Sequence, residues 1–247
     1  MSPSVSPVRR VQRVRHELRR RELEVVRVER LSPGFVSVTF ADDSLADFVS
    51  DSFDDHVKFM FTEASGEIVR RDFTPRAFDH AARTLTIEFA LHDGGGASDW
   101  ARQAEVGQRA MVGGPRGSMI VPSDYAWHLL AGDATALPAI HRRLDELPAG
   151  TRAIVIVQLD DAADRREFAS AATLELSWVE TADDLVAALA ALPLPAGEGF
   201  VWCAGEAATM ARLRDTLLLE KRHPREALRV AAYWKHGASE FHENLEA

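Results

Sequence analysis

The hydrophobic rhythm of this chain changes once, near residues 122–125, and that change constrains the fold more than any other feature. Before it, apolar residues alternate with polar ones: Leu23 and Val25, then Val36, Val38 and Phe40, then Val57, Phe59 and Phe61, then Leu85, Ile87, Phe89 and Leu91. Period two puts every second side chain on one face of a strand, and several such strands with turns like Ser65-Gly66 and little helix imply an antiparallel barrel. After it, apolar strands at 127–131, 153–158, 174–179, 200–204 and 228–232 alternate with helical stretches at 135–146, 182–192 and 207–221, plus a shorter one near 164–169. That alternation calls for a parallel sheet covered on both faces, with ligands beyond the carboxyl ends of its strands. The expected class is therefore β plus α/β: a flexible tail over 1–16, an antiparallel β-barrel domain over 17–124, and a parallel-sheet α/β domain over 125–247.

A chain of 247 residues can bury two such cores. The net charge of −9 argues against general nucleic-acid binding, which needs surplus Lys and Arg to neutralise phosphates. The arginine-rich start, from Arg9 to Arg30, reads as a solvated tail leading into a strand with an Arg and Glu outer face. No apolar run approaches the roughly 20 residues a membrane span needs, and the first residues lack the apolar core of a signal peptide, so a cytoplasmic protein is expected. Cys203 is the single cysteine and lies in an apolar strand run, where it reads as a small core residue. No Cys and His cluster has metal-site spacing. His128 and His141 have no triad partners near them in sequence, and there is no G-x-S-x-G elbow. The basic residues are nearly all arginine; Lys58, Lys221 and Lys235 are the three lysines, which makes each an unusual choice.

Four segments could carry chemistry. Arg71-Asp72-Phe73-Thr74-Pro75-Arg76 combines a ring with guanidinium forks, which suits a flat heterocycle carrying a pyrophosphate and equally suits a surface strand end with Arg and Asp pairs. His92 followed by Gly94-Gly95-Gly96-Ala97-Ser98-Asp99-Trp100 follows a strand and opens a helix; it reads either as an anion cradle or as a loop capped by Ser98. Gly132-Asp133-Ala134-Thr135 and Gly205-Glu206 are strand-to-helix turns ready for an anion, without the G-x-G-x-x-G fingerprint. Asp160 and Asp161, after the second strand of the α/β part, would favour the ribose hydroxyls of NADH, whereas Arg165 or Arg166 could receive the extra phosphate of NADPH.

In order and spacing, these segments resemble the siderophore-interacting protein family of FAD-dependent ferric-siderophore reductases, relatives of ferredoxin reductases. The likeness covers residues 16 to 243. It rests on the family's R-x-Y-T-x-R motif at 71–76, on His92 with Gly96-Ala97-Ser98-Asp99-Trp100-Ala101, on Ala-Gly-Asp-x-Thr-Ala-Leu-Pro-Ala at 131–139, on Ala-Gly-Glu at 204–206, and on Tyr233-Trp234-Lys235-His236-Gly237. The resemblance implies FAD as cofactor, NADH or NADPH as donor with a ferredoxin as the alternative, a ferric siderophore as substrate, and a monomer. It implies that Arg71, Phe73 and Thr74 hold the flavin ring and ribityl chain, with Arg76 toward the phosphates. His92, Gly96, Ala97, Ser98 and Trp100 would complete the FAD site. Gly132, Thr135, Gly205 and Glu206 would serve the nicotinamide dinucleotide, and Trp234 would lie close to the ring. Lys58, Lys235 and His236 would line the substrate cleft. Phe73 stands where the family usually has Tyr, so a hydroxyl able to bond the cofactor is absent, and Ala232 stands where Gly often precedes the Tyr-Trp pair. A general flavin reductase and a non-catalytic ferric-chelate binding module are the rival expectations.

Overall fold

The computed structural model describes residues 10–63, 66–92, 96–238 and the two-residue strand 243–244. Its first half contains β1 (Gln12–Arg15), β2 (Arg20–Ser32), β3 (Phe35–Ala41), β4 (Val57–Thr62), β5 (Ile68–Phe73), β6 (Pro75–Asp79), β7 (Thr84–Ala90), α1 (Gly96–Arg102), β8 (Arg109–Gly113) and β9 (Gly117–Ile120). Seven of these strands form one antiparallel sheet in the order β5-β4-β8-β2-β3-β7-β6. Its edge strands, β5 and β6, are joined only through Thr74, so the sheet curls until its edges meet at one corner, a half-barrel rather than a closed ladder. The alternating residues fill the inside: Leu23, Val25, Val38, Phe40, Phe59, Leu85 and Ile87 are fully buried, and Trp100 of α1 plugs the end, its ring centre 4.7 Å from that of Phe59.

Residues 12–15, expected within a flexible tail, form β1 and pair antiparallel with β9. All four are exposed, so no hydrophobic pattern announces the strand. Side chains flanking it fix it instead. His16 Nε2 lies 2.7 Å from Ser118 Oγ, while Arg10 bonds Glu198 at 2.9 Å, pairs with Asp124 and lies over the Tyr125 ring.

The second half contains β10 (Trp127–Gly132), α2 (Leu137–Glu146), β11 (Arg152–Gln158), β12 (Thr173–Val179), α3 (Ala182–Ala191), β13 (Gly199–Glu206), α4 (Ala207–Asp215), β14 (Leu228–Trp234) and β15 (Glu243–Asn244). Strands β12-β11-β10-β13-β14 run parallel, and β15 adds antiparallel at the edge. Counted from its own first strand this is the order 3-2-1-4-5, that of dinucleotide-binding sheets, with the reversal between β10 and β13. β10 and β13 are buried on both faces, which explains their unbroken apolar runs. Leu185, Leu189, Met210 and Leu213 of α3 and α4 cover one face, and Leu137, Ile140 and Leu144 of α2 cover the other.

Two expected helices differ. The stretch near 164–169 is reduced to a 3₁₀ turn, Ala162–Asp164, because the Asp164 carboxylate accepts from Ser32 Oγ and Gly34 N, both at 2.7 Å, and so fixes this segment to the half-barrel. α4 ends at Asp215 and continues as a π-helical turn, Thr216–Glu220. Lys221 then donates to the carbonyls of Ala190 at 2.9 Å and Leu192 at 2.6 Å, which makes one of the three lysines a cap for the end of α3.

The lobes share a core. Phe35, Phe53 and Val121 of the first pack into the same cluster as α2 and the sheet of the second. Arg142 of α2 crosses the interface to donate to Ser50 Oγ at 2.7 Å, Ser50 O at 2.8 Å and Pro75 O at 3.0 Å. Asp54 reaches back the other way, accepting from Trp202 Nε1 at 2.8 Å and Arg229 Nε at 3.0 Å. A buried ion pair survives desolvation only when further hydrogen bonds satisfy it, and the Trp202 and Tyr233 donors supply them.

Candidate active site

The half-barrel corner and the ends of the parallel strands meet along one seam, bridged by a pair of hydroxyls. Thr74, at the turn between β5 and β6, hydrogen-bonds the Tyr233 hydroxyl near the end of β14. Each has an aromatic neighbour in sequence, Phe73 on one side and Trp234 on the other. Tyr233 is held as a neutral phenol: burial, with the Asp54 carboxylate beside it, raises its pKa well above the ordinary value.

Strand pairing sets what β5 presents. Arg71 lies opposite Phe59 and Phe73 opposite Val57, so both share the inner face of the sheet, whereas Asp72 pairs with Lys58 on the outer face. The Phe73 ring packs 4.5 Å from Phe89 and meets Phe59 edge-on at 5.8 Å, yet it is only half-buried, which leaves apolar ring surface for a ligand. Arg71, also half-buried, bonds the Arg70 carbonyl at 2.8 Å. Lys58 is half-exposed, and its ammonium sits 2.7 Å from Asp72.

At α1, Ser98 is buried and accepts from His92 N at 3.2 Å, while Arg102 donates to the His92 carbonyl at 3.2 Å. Asp93, Gly94 and Gly95 of this segment lie outside the described residues. A Cβ on Gly96 would meet the carboxylate at the movable end of the Glu63 side chain and stand 3.4 Å from the Phe61 ring. Ala97 and Trp100 are buried; Trp100 packs among Phe40, Phe59 and Phe89 and serves the half-barrel core.

In the second lobe the turn after β10 is organised by Asp133, whose importance the sequence did not reveal. Its Oδ1 accepts from Thr135 N at 2.9 Å and Thr135 Oγ at 2.5 Å, and its Oδ2 from Glu206 N and Trp234 Nε1, each at 2.8 Å. Burial raises its carboxyl pKa, opposed by the bonds from Thr135 and Trp234. Gly132 lets the two strand ends touch, since a Cβ there would collide with the Ala204 carbonyl. Gly205, at φ +152°, does the same against the Asp133 carboxylate. Glu206 caps α4 through Thr209 N at 3.0 Å. The two helix starts expected to await an anion therefore already have carboxylates on their amides. The one signal for this was the Asp-x-Thr spacing, a short-range capping pattern.

Arg76, expected toward the phosphates, has carboxylate partners in this structure. It pairs with Asp145 of α2 at 2.9 Å and with Glu88 at 3.4 Å, at the lobe interface. Trp234 is 40% exposed with its indole nitrogen anchored on Asp133, and Lys235 and His236 are exposed in the turn beyond it. A half-open Phe73 ring, a guanidinium two residues before it on the same face and a half-exposed indole across the seam fit a flat aromatic ring with an anionic tail, and so fit FAD.

A curled antiparallel sheet joined to a 3-2-1-4-5 parallel sheet defines the ferredoxin-reductase-like class of two-lobed proteins. The ferredoxin-NADP⁺ reductase of Plasmodium falciparum has this fold at a TM-score of 0.64 and 10% identity, over 86% of this chain and 95% of that one. The family models place it further. Residues 24–70 and 63–119 match the siderophore-interacting FAD-binding domain, and 125–237 match the siderophore-interacting protein. An Escherichia coli protein named NADPH-dependent ferric-chelate reductase is 36% identical over 90% of this chain and 96% of its own length. A siderophore utilization protein from T. fusca superposes at a TM-score of 0.87 with 35% identity, covering 93% and 98% of the two chains. The chain belongs to the siderophore-interacting protein family.

Proposed function

We propose that this protein is an FAD-dependent reductase that passes electrons from NAD(P)H to Fe(III) held in a siderophore. The observation that carries the reading is the seam itself: the Thr74–Tyr233 bridge sets Phe73 and Trp234 on its two sides, next to the crevice where the parallel sheet reverses. FAD, when bound there, supplies a centre that accepts two electrons as a hydride and gives them up singly. Phe73 offers the ring a face, Arg71 a guanidinium beside the ring and ribityl chain, and Ser98 holds the His92 amide next to it. Trp234, fixed by Asp133, covers the crevice side. The iron arrives as substrate in its own chelate, and reduction loosens it because oxygen donors hold the less charged Fe(II) less well.

Lys58, Lys235 and His236 are the cations read as meeting an anionic chelate. Lys58 shares its charge with Asp72, so a chelate has to compete with that carboxylate for it. We read the protein as a cytosolic monomer, with a ferredoxin as the alternative donor; both lobes lining the seam come from one chain. Among the described residues no helix is long and apolar enough to cross a membrane.

The test is anaerobic reduction of the bound flavin by NADH or NADPH, then reoxidation with ferric siderophores or with free FMN. Faster reoxidation by the ferric chelates supports the reading, and equal rates favour a general flavin reductase. The double substitution Lys58→Ala and Lys235→Ala is expected to raise KM for an anionic ferric chelate at unchanged FAD content. A colourless protein that refuses added FAD refutes the proposal.

A further inference from the structure

Besides the bonds of Arg142, the lobes exchange two ion pairs. Arg76 of β6 reaches across to Asp145 of α2 at 2.9 Å. Arg166, from the segment before β12, reaches back to Glu88 of β7 at 2.6 Å and lies 4.6 Å over the Phe35 ring. Arg76 also stands 3.4 Å from Glu88, which ties the two pairs into one cluster. Glu88 is buried, both guanidiniums are largely so, and Asp145 lies half-exposed at the rim.

His141 sits within this cluster. It lies one turn before Asp145 on α2, with Nε2 3.9 Å from the carboxylate and its ring edge-on to Phe168 at 5.1 Å. The charged groups facing it are Arg76 from β6, Glu88 from β7, Arg166 from the segment before β12 and Asp145 from its own helix. Two carboxylates meet two guanidiniums, so the cluster is balanced while the imidazole is neutral. A third cation finds no free acceptor: Asp145 serves Arg76, Glu88 serves Arg166 and Arg76, and both His141 Nδ1 and Arg166 Nη2 are buried without a hydrogen-bond partner among the described residues. A proton on His141 makes donors of both ring nitrogens beside two guanidiniums, and leaves one of them facing nothing that accepts. Burial, with the Arg76 charge, accordingly lowers the imidazole pKa from its ordinary value.

We propose that His141 is a pH-sensitive latch between the lobes: when neutral it lets the Arg76–Asp145 and Glu88–Arg166 pairs close the interface, and when protonated it drives them apart and loosens the corner that carries Phe73 and Thr74. The latch belongs to the chain itself and does not rest on the cofactor reading. Its sign is fixed by which state takes the proton. The opened interface binds it at about the ordinary histidine value, 6.5, and the closed one refuses it, so closure is fully favoured above that value and weakens as pH falls below it. One proton taken up on opening raises the opening constant up to about tenfold per pH unit.

The test is hydrogen exchange read by mass spectrometry on the full chain at about pH 7.5 and about pH 5.5, corrected for the intrinsic rate, where the opening constant should differ about tenfold. Peptides spanning β6, β7 and α2 should show that rise, and should exchange faster than those of β10 and β13 at both pH values. His141→Gln stays uncharged at every pH and suits a helix, and it should bring the rise below about twofold; His141→Phe serves the same end if the first variant misfolds. Opening of the interface that does not change with pH in the unaltered protein overturns the proposal. So does a rise that survives in the folded variant, and so does exchange of the interface peptides as slow as that of β10 and β13, which would mean that the lobes part only when the whole chain unfolds.

Discussion

Asp133 is the residue whose replacement tests the geometry of the seam most sharply. Its two oxygens accept four donors, two from Thr135 and one each from Glu206 N and Trp234 Nε1. In Asp133→Asn one oxygen becomes an NH₂ group, so whichever way the amide turns, two donors face another donor. Two lost bonds to a charged acceptor cost roughly 1.5–3 kcal/mol each, offset by relief from burying a charge, which leaves a net loss of about 2 kcal/mol. The assay is urea unfolding of Asp133→Asn, Trp234→Phe and the double variant. Where the NH₂ takes the Oδ2 place, Trp234 loses its bond in either single variant, and the cycle should return a coupling of about 0.5–2 kcal/mol. The pH dependence has a definite sign. The folded carboxyl holds its proton to higher pH than the unfolded one, whose ordinary value is 3.8, so the stability linked to it is complete below that value and fades as pH rises through the folded pKa. The penalty of Asp133→Asn relative to the unaltered protein should therefore narrow as pH rises through that range. A variant within about 0.5 kcal/mol of the unaltered protein, with no coupling to Trp234, refutes this account of the crevice.

Further outcomes follow from other parts of the seam and core. Phe73→Tyr restores a hydroxyl to a half-open ring and should tighten FAD binding about threefold to tenfold, read by flavin titration of the apoprotein; weaker binding would mean that the ring edge is already filled. His128 is fully buried and burial pushes its pKa down to about 3, so the unfolded chain binds a proton that the folded one refuses; stability should fall by roughly 1.4 kcal/mol per pH unit below about 6.5, and His128→Phe should flatten that slope. Cys203 is fully buried and burial pushes its thiol up to about 12, so a thiol reagent should label it only at the rate of global unfolding. Arg142→Met removes the donors serving Ser50 and the Pro75 carbonyl and should cost about 2–4 kcal/mol by urea unfolding, with FAD loosened because Pro75 directly follows Thr74.

The fold was legible where burial has a period. Alternation in Val57, Phe59 and Phe61 located β4, and the unbroken run from Phe200 to Ala204 located β13, since each pattern reports which faces a strand buries. β1 was not legible, because it buries nothing and is held by pairing with residues a hundred positions away. The same limit explains the site. Phe73, Thr74 and Ser98 drew notice by local composition and Trp234 through the family resemblance, whereas the contacts of Asp133 and Asp54 depend on partners across the fold. The family resemblance placed Arg76 toward the phosphates and Trp100 in the FAD site; in the structure Arg76 pairs with Asp145 and Glu88, and Trp100 packs into the half-barrel core.

The pairings of these arginines share a physical cause. A cofactor seam between two lobes needs both held in register, yet a wholly apolar interface would leave the polar backbone at the half-barrel corner without partners. Arginine solves this, because its fork bonds carbonyls and carboxylates at once and its flat face packs on rings. Arg142 takes Ser50 and Pro75, Arg143 takes the carbonyls of Val121 and Pro122 while lying over Phe53, and Arg166 takes Glu88 over Phe35. Lysine offers one point charge and no flat face, which suits it to helix ends such as Lys221 or to exposed positions such as Lys58. The preference for arginine thus follows from the lobe interface, and it is the reason that arginines near the seam are poor guides to phosphate binding while the rare exposed lysines remain good candidates for meeting the chelate.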